Sequence, residues 1–117
     1  MERIFQQAYH VPGTLTANIV PVFAAATDCT LLHVSAVASN ASSATIKIGT
    51  TADDDAFLVA RDVGDTNVPG EFDRDDFVNG QYPRLTDGSL VLVTVDFDGA
   101  AGTAAANLTV VLTFAEG

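Results

Sequence analysis

A chain of 117 residues has room for one hydrophobic core, burying roughly 65% of the surface its extended form exposes, and none for two independent domains. Fifteen acidic side chains against five basic ones leave a net charge of −10, which repels phosphate backbones and anionic lipid and argues against direct nucleic-acid or membrane contact. The single cysteine, Cys29, excludes an intrachain disulfide and a Cys-rich zinc site.

The excess of acid would draw the protein toward a basic partner surface at long range, and solubility accounts for it equally well. With no Trp and one Met, the core must be built from small and β-branched side chains, which suit pleated sheets better than long helices. The N-terminus has no apolar run of the kind a signal peptide carries. No stretch approaches the roughly 18 apolar residues of a membrane span, so neither is expected.

Residues 1–10 are mixed in character and fit a short helix, an edge strand or an arm. They end at Pro12-Gly13, a turn signal, which divides the chain into an N-terminal arm or edge segment, 1–12, and a β-sandwich domain, 13–117. Over 14–23, Leu15, Ala17 and Ile19 alternate with Thr16 and Asn18 until Pro21, which belongs at a sheet edge or bulge. Over 30–39, Leu32, Val34, Ala36 and Ala38 alternate with His33, Ser35, Val37 and Ser39. A turn at 40–43 then leads into 44–50, with Ile46 and Ile48 inward. The spacing predicts a hairpin of these two strands.

Asp53, Asp54 and Asp55 break the run, and a short strand over 56–61 would place Phe57, Val59 and Arg61 on one side. The stretch 62–89 is irregular, with Phe72, Phe77, Tyr82 and Leu85 spaced to pin a long crossover, containing one or two strands, to the core. The last two strands are the clearest. Val91, Val93, Val95 and Phe97 share one face of 89–97, and Leu108, Val110, Leu112 and Phe114 share one face of 107–114. Joined by Asp98-Gly-Ala-Ala-Gly-Thr-Ala-Ala-Ala106, they read as a terminal β-hairpin.

About seven or eight short antiparallel strands with no helical periodicity predict an all-β, single-domain β-sandwich or jelly roll. An immunoglobulin-type sandwich is the alternative, weakened by the missing Cys…Trp…Cys pattern. On the hairpin's outer side, Leu90, Leu92 and Val111 sit among Thr94, Asp96, Thr109 and Thr113 with no cover in so short a chain. They are the expected oligomer interface.

Catalytic chemistry is sparse. His33 stands two residues from Ser35, which puts both on one strand face by geometry alone, and a nucleophile also needs an orienting acid. His10 precedes a turn. Cys29 lies between Asp28 and Thr30, with no cation to stabilise a thiolate. The aspartates form groups at 53–55, 73–76 and 96–98, none with the calcium-loop pattern that closes on Glu. Asp73, Asp75 and Asp76 are the least weak candidates for a hard cation, and the 53–55 triplet reads as a solvated loop. A glycan-cleaving cleft would want aromatic walls that the chain scarcely supplies. No cofactor is expected and no enzymatic activity.

The C-terminal stretch 87–117 and the middle element Ala44-Thr-Ile-Lys-Ile-Gly-Thr-Thr-Ala-Asp-Asp-Asp-Ala-Phe-Leu58 resemble small structural proteins of tailed bacteriophages, and within that class the capsid decoration, or cement, proteins. Such proteins are small, β-rich and often trimeric. They sit outside the head at local three-fold positions and clamp neighbouring capsid subunits. The resemblance implies a homotrimer bound to the major capsid protein on the outer surface of the virion, made in the host cytoplasm. An N-terminal arm around Glu2 to Tyr9 would add a strand or an apolar anchor, Ile4 and Phe5, to an adjacent subunit, with Tyr9 among the contacts. The rival within the class is a trimeric tail-fibre or host-binding module that takes glycan, expected to group exposed aromatics on one loop end.

Overall fold

Strict alternation along the longer segments gives each strand one apolar face, and two sheets meet on those faces in the computed structural model, which describes residues 3–117. The strands are β1 (Ile4–Thr14), β2 (Val22–Ala24), β3 (Cys29–Val37), β4 (Thr45–Gly49), β5 (Leu58–Asp62), β6 (Gly70–Phe72), β7 (Arg84–Leu85), β8 (Leu90–Asp96) and β9 (Ala106–Glu116). One 3-10 turn, Val78–Gly80, interrupts the crossover. One sheet has the order β1-β9-β3-β6, with β7 also on β3, and the other the order β2-β8-β4-β5. All strand pairs are antiparallel. With β7 set aside as an accessory, this is the double Greek key of a jelly roll, in which the chain changes sheet at nearly every connection.

That topology corrects both expected hairpins. β8 and β9 do not pair: β8 lies between β2 and β4, and β9 between β1 and β3. β3 and β4 likewise belong to opposite sheets, and the sequential neighbours that pair are β4 and β5. The reason is distance. Segments 38–44 and 97–105 must span facing sheets about 10 Å apart, and both exceed the two to five residues that a hairpin loop uses.

Inner faces fall where alternation puts them. Val91, Val93 and Val95 of β8 and Leu108, Val110, Leu112 and Phe114 of β9 are buried, with Ile46 and Ile48 of β4 and Val34, Ala36 and Ala38 in and just beyond β3. No polar or charged residue is buried among those described.

Four local departures have backbone causes. A bulge between Leu31 and His33 shifts the phase of β3, so Leu31 enters the core in place of Leu32. A bulge in β5 pairs Leu58 with Ile48 and Arg61 with Ile46, bringing Leu58 rather than Val59 inward. The 14–23 run contracts to β2 plus a single bridge from Ile19 to Val95. Pro12-Gly13 proves to be a bulge inside β1 rather than a turn, with the Gly13 amide donating to Asn107 Oδ1 at 2.8 Å. In the crossover Phe72, Phe77 and Leu85 are buried as expected, but Tyr82 is 43% exposed.

The two arches are joined to each other. Asn40 Nδ2 donates to the Ala104 carbonyl and Asn40 Oδ1 accepts from the Ala106 amide, at 2.8 and 2.9 Å. The Ser43 amide donates to the Thr103 carbonyl at 2.9 Å. Gly99 has φ +66°, and a Cβ there would overlap the Ser43 carbonyl oxygen. Gly88 has φ +85° with open space around it. Gly99→Ala should therefore destabilise the fold by at least about 2 kcal/mol, from clash plus left-handed strain, and Gly88→Ala by about 1 kcal/mol. Urea unfolding of the two variants measures the difference, which a simple hairpin of 89–114 would not produce.

Candidate functional site

The jelly roll leaves two outer sheet faces, two loop ends and four strand edges as the surfaces on which function can sit. On the β2-β8 half of one outer face, Val22 pairs with Leu92 and Ala24 with Leu90. Because Ile19 and Phe23 turn inward to the core, Val20, Val22 and Ala24 turn outward beside Leu90 and Leu92. Val20, Val22 and Leu90 are 49, 51 and 43% exposed, an apolar strip on an otherwise acidic molecule. Val111 is not part of it. It lies on the outer face of the other sheet, between Ala8 and Ser35, so the three residues expected on one surface are divided between opposite faces. Sequence reasoning missed Val20 and Val22, although the parity of Ile19 and Pro21 was the signal that they point outward.

The same face turns polar beyond Leu92. Asn18, Thr45, Lys47, Ala60, Thr94 and Asp96 line a shallow hollow of about 260 Å³. No aromatic ring lines it. The exposed tyrosines, Tyr9 in β1 and Tyr82 before β7, do not share a loop end.

The N-terminal residues form an edge strand along β9 from Ile4 to Thr14. Glu2, the first residue of the expected arm, lies outside the described residues. Phe5 stacks on Phe114 with ring centroids 5.2 Å apart and is half-committed to the core. Ile4 is 63% and Tyr9 37% exposed.

Charge is distributed unevenly. Asp28, Asp53, Asp54, Asp55, Asp73, Asp75, Asp76 and Asp87 all lie in loops at the end of the sandwich where β3 and β8 begin and β4 stops. Asp73 and Asp76 are occupied with the backbone: Asp76 Oδ2 accepts from the Asp73 amide at 3.0 Å and Asp73 Oδ1 from the Asp75 amide at 3.1 Å. Arg61 Nη1 stands 4.0 Å from Asp76. The carboxylates brought within mutual reach among the described residues are instead those of Asp53, Asp54 and Asp55, with Lys47 Nζ 3.0 Å from Asp54. Hydrogen bonding to Asp53, burial and the charges of Asp53 and Asp54 push the Asp55 carboxyl above its ordinary value, against the pull of Lys47. Hydrogen bonding to Asp54 and its charge raise Lys47.

The two histidines and the cysteine each have a defined place in the fold. His33 Nε2 lies 3.7 Å from Glu71 Oε1 in a cross-strand pair. His10 Nδ1 lies 2.7 Å from Thr109 Oγ1. Cys29 is buried in the core, and desolvation, then the Asp28 charge, raise its thiol, which suppresses the reactive thiolate.

No protein-family model matches the chain, and no curated relative matches it. Among solved structures, one chain of the cyanophage Pam1 capsid asymmetric unit is similar, with a TM-score of 0.58 and 16% identity, over 99% of this chain and 85% of that one. At that identity the likeness establishes a shared fold.

A raised carboxyl favours the protonated form in the fold, so the Asp55 contribution is intact below the ordinary carboxylate range and is lost as pH rises through the raised value. Asp55→Asn should raise Tm at neutral pH, by an amount that shrinks to nothing as pH falls below about 3. Calorimetric scans across that range check the sign.

Proposed function

We propose that this chain is a non-enzymatic structural protein of a tailed-phage virion, a trimer that decorates and cements the outside of the capsid by clamping adjacent major capsid protein subunits. The observation that carries the reading is the jelly-roll fold itself, together with a structural likeness, covering 99% of this chain, to a chain of a cyanophage capsid asymmetric unit. Jelly rolls also serve as lectins and cupins, and this chain's own residues favour neither. Its interior holds no polar side chain among the described residues, and its polar hollow lacks the aromatic platform that sugar recognition uses.

The apolar strip of Val20, Val22, Leu90 and Leu92 is the surface that subunit contact would cover. Val111, on the other outer face, would need a separate neighbour. Ile4 and Tyr9, projecting from the edge strand, supply further contact to an adjacent subunit, and the acid-rich loops would steer the protein to a basic shell surface. Binding only to assembled shell stabilises that shell by mass action, which opposes the pressure of packaged DNA.

Heads carrying the protein should release their DNA at a higher temperature than heads stripped of it, and adding the protein back should restore the difference. Val22→Asp with Leu90→Asp should abolish that restoration without unfolding the monomer. Equal release temperatures with and without the protein would contradict the reading, as read by fluorescence of a DNA dye during heating.

A further inference from the structure

The free edges of the two sheets are unequal. Three are blunted in the ways soluble proteins use against unwanted pairing. β2 is short and follows Pro21, β6 and β7, which share the far side of β3, are short and carry Glu71 and Arg84, and β5 carries Arg61, Asp62 and a bulge. The fourth edge is β1, which has no Asp, Glu, Lys or Arg from Ile4 to Thr14, His10 being its one imidazole, in a chain of net charge −10.

Only one side of β1 is taken, by β9, so alternate residues turn N–H and C=O groups outward. Its own side chains leave them clear. Gln6 Nε2 donates to Thr113 Oγ1 at 3.2 Å and His10 Nδ1 meets Thr109 Oγ1 at 2.7 Å, both directed back onto β9. Pro12, having no N–H, ends the usable edge at Val11.

We propose that this edge pairs antiparallel with the β1 edge of a second copy of the chain, about a two-fold axis, making one sheet continuous across two molecules. Charge selects the occupant. A partner recruited by attraction to this acidic protein would meet acids along its contact, whereas a second molecule of the same charge can approach only along a neutral strip. Antiparallel pairing also points the two acid-rich loop ends in opposite directions, because Ile4 lies at that end of the sandwich and Thr14 at the other.

The strand is self-complementary as well. With Gln7 on the axis, Phe5 faces the partner's Tyr9, Gln6 the partner's Ala8 and Ile4 the partner's His10, each pair on one sheet face. Pro12 then falls outside the ladder. The contact follows from the edge alone and does not require a virion role. Where three-fold assembly also forms, it joins trimers into even-numbered sets.

Sedimentation velocity of the wild type with Gln7→Lys and Gln7→Glu, separately and mixed, tests the pairing. The wild type should form even-numbered species. Each variant places like charges opposite one another on the axis and should weaken association about five- to ten-fold, and an equimolar mixture should recover it. A wild type that is monomeric, or trimeric with no even-numbered species, overturns the proposal whether or not the variants fold. So does weakened association that mixing fails to restore in variants with a native circular dichroism spectrum. Failure to bind heads while even-numbered assembly persists would fall on the virion reading and would leave the pairing supported.

Discussion

Each long strand of this protein turns one apolar face inward, so neither sheet can exclude water without the other. Leu108, Val110, Leu112 and Phe114 of β9 and Val91, Val93 and Val95 of β8 are buried in one cluster, each side chain contributing about 1.5–3 kcal/mol on leaving water. Meeting those two faces forces the chain to cross between sheets. The arches 38–44 and 97–105 follow from that crossing, as do the hydrogen bonds through Asn40 and Ser43 that hold them together.

Period-two alternation made the strands and their inner faces legible, because an inward side chain on β8 or β9 is apolar in either topology. It carried no information about partners. Whether β9 pairs with β8 or with β1 changes no residue's polarity, and only the lengths of the connecting segments pointed away from a hairpin. Leu31 takes the place expected of Leu32 for a different reason: a bulge advances the phase by one residue, and Leu32 does not look out of place in an unbulged strand.

The surface was partly legible in the same sense. Leu90 and Leu92 stood out as uncovered, but grouping them with Val111 depended on the hairpin and failed with it. Their actual neighbours, Val20 and Val22, lay beyond a proline that obscured the strand. The aspartates followed local chemistry. Asp73 and Asp76 bind backbone amides in tight turns, a use that sequence spacing does not distinguish from readiness to hold a cation. What remains is a molecule with an apolar interior, an acid-rich end, one apolar outer strip and one edge strand without Asp, Glu, Lys or Arg, and the strip and the edge are the surfaces on which the proposed contacts rest.

Cryo-electron microscopy of the virion, at a resolution that traces β-strands, tests the central claim most directly. The account predicts jelly-roll density for this chain on the outer surface of the head at local three-fold positions, with the Val22 and Leu90 strip covered by a neighbouring subunit. Density on the tail, or none on the particle, would contradict it.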